Sequence, residues 1–153
     1  MKKENTINKL NRLLIINNDR IEGYETASDN TEESALKTLF SKFAQTSQKC
    51  RHELISEIDK IGGKAEEGSN LSGKFFRTWM DVKSSLTGKD RKAILNSCDQ
   101  GEERAIETYK NVLKDESEHL NSDQKSMIRS QYDLIKTDQG KIRTMQNALV
   151  AAS

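Results

Sequence analysis

The sequence has no proline in 153 residues, and only two histidines, two cysteines, one tryptophan and eight glycines. Each shortage excludes something. Proline is barred from helix interiors but common in the turns of β-rich and loop-rich domains, so its absence from a chain of this length points to long helices. Two histidines leave little for a Ser-His-Asp arrangement or for the nitrogen ligands that redox metals favour. Cys50 and Cys98 both fall on apolar helix faces and have no Cys-x-x-Cys spacing, which favours reduced core thiols over a disulfide or a metal pair. Aromatic residues are 5% of the chain and lie on apolar faces, so no stacking surface for nucleic acid is built. No glycine-rich phosphate loop occurs. No apolar run reaches 18 residues, and Met1-Lys2-Lys3-Glu4-Asn5 leads into no signal-peptide core, so the expectation is a soluble, cytoplasmic protein with no membrane role. Lys and Arg number 25 against 24 Asp and Glu, interleaved along the chain, which gives no electrostatic footprint for nucleic acid or anionic lipid.

What the chain does have is helical periodicity. Ile7, Leu10, Leu13, Leu14, Ile21 and Tyr24 recur at three- and four-residue spacing, with Asn17 as the one polar member, and predict a helix over 6–28. Thr31 or Asn30 is the expected cap of a second helix over 31–61, whose apolar face carries Leu36, Leu39, Phe40, Phe43, Cys50, Leu54, Ile58 and Ile61. Gly62 supplies the left-handed residue that stops it. A shorter pattern, Phe75, Phe76, Trp79, Val82 and Leu86, predicts a crossover helix over 71–86. Asp90 caps a helix over 91–116 with Ile94, Leu95, Cys98, Ala105, Tyr109, Val112 and Leu113 inward and Glu102 in the same stripe. Ser122 caps a helix over 122–148 with Met127, Ile128, Leu134, Ile135, Ile142, Met145 and Leu149 inward, together with Gln131 and Asp138. The length suits one domain over 1–153. Two helical hairpins joined by a long crossover are the wiring of a ferritin-like four-helix bundle, so the expected fold class is all-α of that type.

Leu10-Asn11-Arg12-Leu13-Leu14, Glu22-Gly23-Tyr24-Glu25-Thr26-Ala27, Ile61-Gly62-Gly63, Trp79-Met80-Asp81-Val82-Lys83 with Leu86-Thr87-Gly88, and Ala93-Ile94-Leu95 with Gly101-Glu102-Glu103 together resemble a bacterial family of ferritin-like bundles related to rubrerythrin, a domain of unknown function. The resemblance covers nearly the whole chain and implies the fold. It also implies histidines at positions where this chain has Ser47, Phe76 and Gln139.

A di-metal carboxylate site in a bundle uses a Glu from each of two helices and Glu-x-x-His from the other two. Here His52 lies off the apolar stripe, beside Lys49, and reads as a surface residue. Glu116-x-x-His119 matches the motif but falls in the charged stretch between the last two helices. The oxygen ligands left for such a site are Glu22, Glu102, Glu103 and Asp138, an incomplete set. An inward carboxylate must pair, bind something or reach water, and Glu102 with Asp138 is the foremost pair. A polar layer using Asn17, Gln131, Tyr24 or Tyr109 would satisfy them, and a vestigial or oxygen-only cation site is the alternative. The expectation is therefore a non-enzymatic or degenerate bundle with no cofactor, acting through homo-oligomeric assembly or a protein partner, in a stress or envelope-maintenance setting. The alternative is an iron or manganese oxidoreductase of the rubrerythrin kind.

Overall fold

The computed structural model describes residues 2–66, 91–115 and 119–152. Four long helices carry them: α1 (Lys2–Asn30), α2 (Ser34–Lys60), α3 (Arg91–Asp115) and α4 (Ser122–Ala152). No strand occurs among the described residues, and none of their helices is long and apolar enough to cross a membrane. The expected crossover helix over 71–86, with Phe76 and Trp79, and the Asp90 cap lie outside the described residues.

The helix ends follow from local chemistry, with corrections to the sequence reading: α1 is Lys2–Asn30 rather than 6–28, α2 is Ser34–Lys60 rather than 31–61, α4 is Ser122–Ala152 rather than 122–148, and two caps differ. Asn30 belongs to α1, and Thr31 does not cap α2. The N-cap is Glu33, with no side-chain cap bond, while Thr31 Oγ1 accepts from the Glu33 amide at 3.3 Å within the turn. Ser122 is the first residue of α4 rather than its cap. Asn121 Oδ1 accepts from the Gln124 amide at 2.8 Å and Gln124 Oε1 accepts from the Asn121 amide at 2.9 Å, a reciprocal capping box. Gly62 ends α2 as expected, at φ +80°, with its amide donating to the Asp59 carbonyl and the Gly63 amide to the Ile58 carbonyl. Those two bonds are the Schellman pattern that satisfies the last carbonyls of a helix. At Gly63 a Cβ would stand 2.8 Å from Ile7 Cγ1, so the chain leaves α2 in close contact with the start of α1.

Cross-helix bonds fix the directions. Ser28 reaches the Lys37 carbonyl, Glu25 meets Gln48 and Asn18 meets Arg51, so α1 and α2 are antiparallel. Asn96 with Gln146, Asp99 with Arg143 and Tyr109 with Gln131 set α3 against α4 in the same way. The hairpins join through Arg20 with Glu102 and Asn17 with Tyr109 between α1 and α3, and through Gln131 with Glu53 and Gln124 with Glu57 between α4 and α2. Both of those pairs are antiparallel too. It follows that α2 and α3 point the same way. The start of α3 accordingly lies beside the start of α2, where Arg91 pairs with Glu33 at 2.9 Å, at the far end of the bundle from Gly62.

The core runs the length of this assembly. Leu10, Leu13 and Leu14 of α1 meet Leu36, Phe40, Phe43, Leu54 and Ile58 of α2, Ile94, Leu95, Ala105 and Val112 of α3, and Ile128, Ile135 and Ile142 of α4. Tyr24 stacks on Phe40 at 5.6 Å and meets Phe43 edge-on at 5.1 Å. Two inward positions differ from the sequence reading: Ile21 and Leu134 are only partly buried and stand outside the core cluster, and on α1 Arg20 points to the centre instead. Among the buried residues of α1, one row runs Leu10, Leu13, Asn17, Arg20, Tyr24 and Ala27, an alternation of three and four residues. That is the seam a helix keeps toward its neighbours in a bundle.

Candidate functional site

Four helices each bring one polar side chain to the same level of the core. Arg20 of α1 donates from Nε to Glu102 Oε1 at 2.8 Å and from Nη2 to Glu102 Oε2 at 2.9 Å, a two-point fork onto α3. Nη2 also donates to Asp138 Oδ2 of α4 at 3.0 Å, and Nη1 donates to Ser47 Oγ of α2. The guanidinium lies 5.4 Å from the centre of the Tyr24 ring. Arg20 and Glu102 are fully buried, and Asp138 reaches the edge with 8% of its side chain exposed.

Burial alone would discharge Arg20, but Glu102, Tyr24 and Asp138 hold its proton more firmly than usual. Burial pushes both carboxyl groups above their ordinary values, and the guanidinium draws each back toward the charged form; Thr46 and Lys141 help at Asp138. Two carboxylates facing one guanidinium leave one unit of negative charge when all three are ionised. The thiols of Cys98 and Cys50 sit in the same field as free, buried residues, both pushed up by burial, Cys50 to about 12.

One turn away a second layer again draws on four helices. Asn17 Nδ2 donates to Tyr109 Oη at 2.8 Å and to the Leu13 carbonyl, and Tyr109 donates to Gln131 Oε1 at 2.7 Å. Gln131 Nε2 continues to Glu53 Oε1 at 3.0 Å and toward the Cys50 carbonyl at 3.4 Å. Asn17 Oδ1 is buried with no hydrogen-bond partner. At the flank, Gln139 Nε2 donates to Glu103 Oε2 at 2.7 Å, and Arg143 bridges Asp99 and Glu103 at 3.0 and 3.1 Å.

Of the four oxygen ligands proposed from sequence, the fold brings Glu102 and Asp138 together and leaves Glu22 and Glu103 on exposed flanks. Ser47 and Gln139 carry the hydrogen bonds just described. His52 is exposed, and His119 offers its backbone carbonyl to the Thr6 hydroxyl. Glu116 lies outside the described residues. Among the described residues no three His, Cys, Asp or Glu side chains gather in a metal-binding group. The residues present do not fit a two-metal carboxylate centre, because both oxygens of Glu102 and one of Asp138 are engaged by Arg20.

Arg20 escaped the sequence reading, although its place in the three-four row with Asn17 and Tyr24 marks it. Asp19 escaped it too. The residue is 2% exposed, Oδ2 has no hydrogen-bond partner, and burial, followed by Glu22, pushes its carboxyl up to about 8. In a run of Asn17, Asn18 and Asp19 no sequence signal singles it out.

These features define an all-helical assembly closed around a buried guanidinium–carboxylate cluster. The chain belongs to the family described as "Domain of unknown function (DUF2383)", whose model matches residues 5–115. That span takes in Arg20, Ser47 and Glu102 and ends before Asp138. No curated protein matches the chain.

Proposed function

We propose that this protein is a ferritin-like bundle that acts by assembly or by binding a protein partner, with a centre that specifies how its helices meet rather than one that turns over a substrate. Parallel α2 and α3 are the arrangement a long crossover between two hairpins requires, which supports the ferritin-like wiring. The observation that carries the functional reading is Arg20. Its guanidinium occupies three carboxylate oxygens that an iron or manganese pair would need, so the polar groups at the centre are spent on one another. A buried ionic group satisfied in this way adds little net stability, and its best-attested use is to fix register and partner geometry.

Metal analysis of protein purified without chelator from cells grown with added iron and manganese tests this reading, alongside mass by light scattering. The expected result is trace metal and a mass that is a multiple of the 17.4 kDa chain or that shifts with a captured partner. Near-stoichiometric iron or manganese would instead support a metal-dependent oxidoreductase.

A further inference from the structure

We infer that Arg20 is a built-in counter-cation holding the place of a hard divalent ion, and that taking its guanidinium away converts the same oxygens into a cation site. The inference rests on the reading of the centre given above and goes beyond it by naming what the cluster would accept.

Three observations carry it. The first is charge: Glu102 and Asp138, when both are ionised, carry two negative charges, which one guanidinium leaves half compensated and one divalent ion would neutralise. The second is the donor set. Glu102 Oε1 and Oε2, Asp138 Oδ2 and Ser47 Oγ all converge on the guanidinium, from three different helices, within its hydrogen-bonding reach. Carboxylate and hydroxyl oxygens with no nitrogen or sulfur suit Mn²⁺, Mg²⁺ or Ca²⁺ rather than copper or zinc. The third is room. Arg20 is among the largest fully buried side chains, so cutting it back to Cβ vacates space at the convergence point for an ion and the waters that complete its shell.

The experiment titrates the full chain with Mn²⁺ alone, read by electron paramagnetic resonance of the free ion and by calorimetry. Arg20→Ala should bind one Mn²⁺ at least about tenfold more tightly than the unaltered protein. Arg20→Ala combined with Glu102→Gln should fall back to the unaltered level, and Arg20→Lys, which keeps a cation at the centre, should gain nothing. A folded Arg20→Ala variant that binds no better than the parent, or a gain that survives Glu102→Gln, overturns the inference. If Arg20→Ala is unfolded by circular dichroism, saturating Mn²⁺ should restore its helical signal, and failure to do so overturns the inference as well. Stoichiometric metal in the unaltered protein would defeat the proposed function itself. Metal-free parent protein with no gain in Arg20→Ala would defeat only this step.

Discussion

Arg20 and Glu102 lock α1 to α3 by two nearly parallel hydrogen bonds of 2.8 and 2.9 Å, with both side chains fully buried. A fork of this kind has one geometry, so sliding α1 against α3 by a turn would strand both charges in a dry interior. Replacing Arg20 with Met keeps the bulk and removes the charge, leaving Glu102 and Asp138 facing each other. The expected loss is about 3–5 kcal/mol in urea unfolding. Replacing Glu102 and Asp138 with apolar residues in the same chain should recover much of it, because no unpaired charge then remains. A loss below about 1 kcal/mol for Arg20→Met would show that the cluster is well hydrated.

Asp19 is a carboxylate that the fold prefers to keep protonated. Its value rises from 3.8 to about 8 on folding, so its favourable contribution is full below the unfolded value and is lost as pH climbs through the folded one. Asp19→Asn, neutral at every pH, should therefore raise stability by about 1–3 kcal/mol above pH 8 and have little effect at about pH 4. Melting temperatures across that range check it, at about 2–4 °C per kcal/mol for a chain of this size. A gain of equal size at both ends would show that the charge is not the cause.

Cys50 and Cys98 should be silent toward thiol reagents in the native protein. Both are fully buried and their thiols are pushed up, so the reactive thiolate is scarce and shielded. Labelling with a chromogenic disulfide at pH 8 should yield no fast phase, and both thiols should appear only as the chain unfolds in guanidinium. Rapid modification of either one would place it at the surface.

Three glycines should respond differently to alanine. Gly62→Ala forces a side chain into a left-handed backbone at φ +80°, at a cost of about 1–2 kcal/mol. Gly63→Ala drives a Cβ to within 2.8 Å of Ile7 and pries the end of α2 from the start of α1, so it too should destabilise. Gly140→Ala meets nothing within 4 Å at an exposed position of α4 and should stabilise by about 0.5–1 kcal/mol. Thermal unfolding of the three variants separates backbone conformation from packing.

Much of the fold was legible because helices advertise themselves locally. The apolar rows of α1 to α4, the stop at Gly62 and the inward polar residues Asn17, Glu102, Gln131 and Asp138 all follow from 3.6-residue periodicity and end chemistry. The caps were harder, because Asn30, Thr31, Asn121 and Ser122 are all good cap formers in short polar runs, and only backbone geometry selects Glu33 and Asn121. Ile21 was mistaken for an inward residue because hydrophobicity outweighs a charge in any pattern count, although the three-four spacing from Leu13 and Asn17 lands on Arg20.

Sequence alone determined that this chain forms long amphipathic helices and that carboxylates must enter their shared interior, since periodicity and composition are properties of each segment by itself. Tertiary structure decided what those carboxylates meet. Glu102 and Asp138 come from α3 and α4, and Arg20 from α1, so their association depends on which way each helix runs and how far it is turned about its axis. Those quantities are set by packing across the whole core, where the cost of an uncompensated buried charge admits only the arrangement that brings the guanidinium between them.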